Sequence, residues 1–83
     1  SYRETVIQIA VILKEYGPCA VKRIREIGRL PEKTGHILIK NHYGWFEKER
    51  RGVYKLTGKA QAELENYPDL TELYRKSLSE NNA

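Results

Sequence analysis

Lys33, His36 and Lys40 stand three and four residues apart, the spacing that gathers side chains on one face of a helix. A lysine ammonium there can meet phosphate oxygens or a guanine edge, and histidine adds a further donor. Gly35, in the same stretch, permits close approach of the backbone to a ligand. Lys48, Arg50 and Arg51 form a second basic group within Trp45-Phe46-Glu47-Lys48-Glu49-Arg50-Arg51-Gly52-Val53-Tyr54-Lys55-Leu56. Two runs rich in aromatic and apolar residues flank a charged turn that ends in Gly52, a residue able to take positive φ. The pattern predicts a β-hairpin. Its arginines keep their charge at neutral pH and suit a phosphate or the minor groove. Glu47 and Glu49 oppose this, because carboxylates repel phosphate. Lys22 and Arg23 make a third basic pair. If about five phosphates are neutralised, log K should fall against log salt with a slope near −4 to −5.

Other chemistries find less support. His36 and His42 are six apart, which is not a ligand spacing on one helix face, and no metal site is expected. Cys19 has no histidine partner for nucleophilic work and reads as a small buried hydrophobe. Trp45 and the six tyrosines could stack on single-stranded bases, but their spacing fits core and seam positions better. Residues 52–59 resemble a phosphate loop only loosely: the gap between the glycines is one residue too long, and Ala60 stands where a magnesium-binding hydroxyl belongs. No Asp followed by a Glu-x-Lys pair, the signature of metal-dependent nucleases, occurs. No acid, base and nucleophile converge, so the expectation is a binding module without cofactor, not an enzyme.

Positioning these residues requires a small set of elements. Residues 1–16 read as a helix, with Ser1 and Glu4 at capping-box spacing and Tyr2, Val6, Ile9, Leu13 and Tyr16 along one stripe. Ile7, Val11 and Ile12 widen the apolar surface, so two sides need cover, from the C-terminal helix or from another subunit. Gly17-Pro18 stops the helix. Residues 19–21 suit a short strand. Val21, Ile24 and Ile27 face inward from a second helix, whose Lys22, Arg23, Arg25 and Glu26 face out. Gly28-Arg29-Leu30 reads as a turn. Pro31 fits the first position of a third helix running to about His42, with Thr34, Ile37, Leu38 and Asn41 inward. Inside the hairpin, Trp45 with Tyr54, or Phe46 with Val53, pack on the core. Thr57 caps a fourth helix over residues 58–67, with Ala60, Leu64 and Tyr67 inward. Pro68 breaks it, Asp69 and Glu72 can cap a fifth over residues 70–78, and the rest frays. This is an α+β, mainly helical chain with the outline of a winged helix-turn-helix. It has a three-helix core, a short first strand, a hairpin wing and one or two C-terminal helices. Residues 1–67 form the winged-helix domain, and residues 68–83 a C-terminal helix and tail.

Composition agrees. Eighty-three residues make one small domain. The net charge is +4, but residues 17–59 carry 11 Lys or Arg against 4 Asp or Glu, whereas residues 60–83 carry 2 against 5. A basic centre suits a polyanion. One cysteine excludes an internal disulfide framework and suits a reducing cytoplasm. No apolar run approaches the roughly 18 residues of a membrane span, and no signal peptide is visible. The lack of any methionine predicts a chain processed or cut from something longer.

The segments Gly17-Pro18 through Val21-Lys22-Arg23-Ile24-Arg25-Glu26, then His42-Tyr43-Gly44-Trp45-Phe46-Glu47, then Arg50-Arg51-Gly52-Val53-Tyr54-Lys55-Leu56-Thr57, are familiar. The chain resembles, over about residues 17–67, the C-terminal region of an uncharacterised bacterial family named for PD-(D/E)XK phosphodiesterases. The most specific parts are Tyr43-Gly44-Trp45-Phe46-Glu47 and Arg51-Gly52-Val53-Tyr54. The resemblance implies a nuclease-like domain upstream. The family's catalytic acids have no counterpart here, so no catalytic role is carried over. The expectation is thus a duplex-DNA-binding module, the C-terminal targeting part of a larger nuclease-like protein. Its DNA contacts would come from Lys22, Arg23, Lys33, His36, Lys40, Lys48, Arg50 and Arg51. The main rival is a protein-interaction module, a homodimer through the first and C-terminal helices. A weaker one is a single-strand or RNA binder.

Overall fold

The computed structural model describes residues 1–82. The elements, in chain order, are α1 (Tyr2–Tyr16), β1 (Cys19–Ala20), α2 (Val21–Gly28), α3 (Thr34–Lys40), β2 (Phe46–Arg50), β3 (Val53–Leu56), α4 (Gly58–Leu64) and α5 (Pro68–Asn81). The fold is α+β and mostly helical, an order compatible with a winged-helix layout. None of the described helices is long and apolar enough to cross a membrane.

α1 is the axle of the core. Ser1 and Glu4 close the expected capping box, which satisfies two donors at the helix start. Every residue from Ile9 to Leu13, with Val6 and Ile7, is buried. A helix apolar around so much of its circumference must be covered on several sides. α2, α4 and β3 supply part of that cover, and α5 packs along the rest. Leu78 of α5 joins the same hydrophobic cluster as α1, Ile24, Leu38, Trp45, Phe46 and Tyr54.

The three strands form one antiparallel sheet in the order β1-β3-β2. Cys19 pairs with Tyr54, and Phe46 with Leu56, so the short first strand and the hairpin share β3. Trp45, Phe46 and Tyr54 are all buried, whereas Val53 is only half-buried. The two inward pairings expected from alternation are therefore mixed. Trp45 lies just ahead of β2, outside the strand alternation, and a register shift interrupts β2 later, between Lys48 and Arg50.

Several element boundaries differ from those expected. α3 starts at Thr34, three residues beyond Pro31, and ends at Lys40. Pro31 instead offers its carbonyl to both the amide and the hydroxyl of Thr34. Gly28, read as the first residue of the turn, is instead the last residue of α2, and Arg29 after it is left-handed. A Cβ on Gly28 would come within 2.7 Å of Ile12 Cδ1. α4 stops at Leu64, and Pro68 begins α5 where it was expected only to break α4. α5 continues to Asn81, through residues expected to fray; the Asn82 side chain donates to the carbonyls of Ile27 and Leu78. Ala83, also expected to fray, lies outside the described residues.

Candidate nucleic-acid interface

α3 turns Thr34, Ile37 and Leu38 into the core, with the Thr34 hydroxyl donating to Pro31 O at 2.7 Å. That anchoring leaves His36, Ile39 and Lys40 outward, with Lys33 just ahead of the helix. Lys33, His36 and Lys40 line one groove of about 410 Å³, whose other wall is Ser1, Tyr2 and Thr5 at the start of α1 and whose floor includes Ile37. None of the three forms an ion pair among the described residues. The three side chains therefore face solvent from one concave surface.

Tyr2 ties this groove to the turn that follows α3. Its ring meets His42 edge-on at 5.6 Å and Tyr43 at 5.8 Å; Tyr43 in turn lies 5.9 Å from Trp45. The Trp45 indole N–H donates to the Glu63 carboxylate. Asn41 caps the end of α3, in the left-handed region at φ 52°. The Asn41 amide donates to Phe46 O at 2.7 Å and accepts from Phe46 N at 3.1 Å. This paired contact fixes how the hairpin leaves the helix.

Lys48, Arg50 and Arg51 are all exposed on the hairpin, whose turn is made by Arg51 and Gly52, the latter at φ 76°. The register sets Lys48 opposite Tyr54 but Arg50 opposite Val53. The shift between them moves Arg50 into the row of Glu47 and Lys55, away from that of Phe46 and Lys48. Glu47 and Glu49, which count against phosphate binding in the sequence, are both engaged by Lys55 Nζ, at 3.5 and 3.0 Å. Hydrogen bonding to Glu49, then its charge, then Glu47, raises the Lys55 pKa above its ordinary value. Such exposed pairs add little to stability, but they partly mask the carboxylates.

Lys22 and Arg23 are exposed on α2, and neither lines the α3 groove. The Arg23 guanidinium sits 5.8 Å from the centre of the Tyr16 ring. Burial raises the Cys19 thiol pKa, with Arg23 pulling it back in part. The structure thus unites Lys33, His36 and Lys40 in one groove. It sets Lys48, Arg50 and Arg51 on the hairpin, and Lys22 and Arg23 beside β1.

Sequence reasoning missed Tyr2 as a groove wall and Ile39 as an outward residue. The signal for Ile39 was present, since helical spacing sets it opposite Thr34 and Leu38. Tyr2 was read only as part of an apolar stripe, yet it is 39% exposed.

A family model described as "Putative PD-(D/E)XK phosphodiesterase (DUF2161)" matches residues 1–63. No match was found among curated proteins or among solved structures. The family description corrects the expectation that this protein is not an enzyme. That expectation ran from the lack of a converging acid, base and nucleophile straight to the activity of the protein, and phosphodiesterases are enzymes. Matched from α1 to the last turn of α4, over residues 1–63 of 83, the chain belongs to the family that this description names.

Proposed function

We propose that this chain is the duplex-DNA-binding region of a nuclease-like protein, built as a winged helix-turn-helix. In this reading α2 and α3 are the two helices of the motif, and β2 with β3 is the wing. α3 enters the major groove, the usual place of the second helix of such a motif. Lys33, His36 and Lys40 contact phosphates or base edges from it, and Lys48, Arg50 and Arg51 hold the backbone or the minor groove. Lys22 and Arg23 add phosphate contacts at the margin. The phosphodiester chemistry in the family's name gives such a region a purpose, which is to hold the polymer whose bonds are cut. A cytoplasmic setting suits the single buried thiol.

The observation that carries this reading is the shared groove. Three side chains able to bear positive charge, without ion-pair partners among the described residues, face solvent from one short helix and its approach. Titration of duplex DNA across a range of salt concentrations tests it. The expected result is binding whose log K falls with log salt at a slope of about −4 to −5, as for five neutralised phosphates. Weak binding that ignores salt, or none, removes the reading. Self-association in ultracentrifugation together with indifference to DNA would favour a dimerisation module.

A further inference from the structure

Ile39 is the most exposed of the large hydrophobic side chains among the described residues, at 71%, ahead of Leu73 at 58%. It stands on α3 directly before Lys40 and three residues after His36, on the side away from Thr34 and Leu38. The packing of α3 does not use it. Nor does helix propensity favour it, because a β-branched side chain loses χ1 freedom in a helix. A single exposed apolar residue on an ordinary surface calls for no explanation. Here, however, the apolar side chain lies on the outer face of a helix whose flank is cationic. Such a face fits a partner with negative walls and an apolar point on its floor.

The major groove of duplex DNA has this arrangement. Phosphates line its rims, and the thymine 5-methyl is the one apolar group among the donors and acceptors of the base edges. We propose that Ile39 reads thymine, packing its side chain on that methyl while Lys33, His36 and Lys40 engage the surrounding phosphates and edges. The inference rests on the reading of the chain as a duplex-DNA binder with α3 in the major groove, and it names the base that this helix selects.

The test begins by enriching a preferred duplex from a random library. Each thymine of that duplex is then replaced in turn by deoxyuridine, which lacks only the methyl. For the wild-type protein, the replacement should weaken binding about four-fold at one or two positions, the worth of one buried methyl-sized group. Ile39→Ala should bind the thymine and deoxyuridine duplexes equally, with an unchanged thermal melt. Ile39→Val, which keeps part of the contact, should show an intermediate ratio. The inference is overturned if the wild-type protein is indifferent to every replacement, or if Ile39→Ala retains the full thymine preference. Duplex binding without methyl dependence sinks this inference alone, whereas no duplex binding at all sinks the function beneath it as well.

Discussion

At the scale of single residues, Asn41 joins the helix to the hairpin by two separable means. Its backbone occupies the left-handed region, and its side chain exchanges a pair of hydrogen bonds with Phe46. Asn41→Gly keeps the conformation and loses the bonds, which should cost about 1–2 kcal/mol. Asn41→Ala also strains the backbone, and should cost about 1 kcal/mol more. Denaturant unfolding of the two variants measures the difference, and equal losses would show that the left-handed turn contributes nothing. The sequence placed Asn41 inward but did not show its work, because the bonds depend on where the chain goes next. The Trp45–Glu63 contact was hidden for a stronger reason: its partners lie 18 residues apart. Only the packing of α4 beneath the hairpin brings them together, and no local pattern encodes that.

At the scale of elements, Pro31 and Pro68 show why some boundaries were legible and others were not. Proline suits a first helical position and also disrupts the end of a preceding helix. Pro31 was read as a start, yet α3 begins at Thr34; Pro68 was read as a stop, yet it opens α5. The residue type leaves the choice open, and tertiary contacts make it. α1 was readable because its capping box, its apolar pattern and its terminal glycine agree. The hairpin and its turn were readable for a similar reason, while the register shift at Lys48 and Arg50 left no mark in the residue pattern. Of the candidate site, the clustering of Lys33, His36 and Lys40 was visible as spacing. The opposite wall of their groove belongs to a distant part of the chain and was not. If the wing holds phosphates, Arg50→Ala combined with Arg51→Ala should reduce the salt slope by about 2. The loss of affinity should be similar on every duplex sequence. A loss confined to one sequence would assign these arginines to base reading instead.

At the scale of the whole molecule, stability depends on the closing of α5 over α1. Leu78 and Leu73 lie on the same helix but in opposite surroundings, one buried at 7% and the other 58% exposed. Leu78→Ala should therefore cost about 2–4 kcal/mol, while Leu73→Ala should stay within about 0.5 kcal/mol of wild type. Equal small effects in thermal or denaturant melts would mean that α5 is not part of the cooperative unit. The sheet carries a further consequence. With β3 in the middle, β2 is an open margin, and its unpaired side runs through Glu47, Lys48, Glu49 and Arg50, four charged residues in succession. An incoming strand would have to lay its own side chains against charges of both signs, an arrangement that discourages strand addition. These charges guard the hairpin against edge-to-edge aggregation, so a crowded solution of the protein is kept from zipping into larger sheets along this margin.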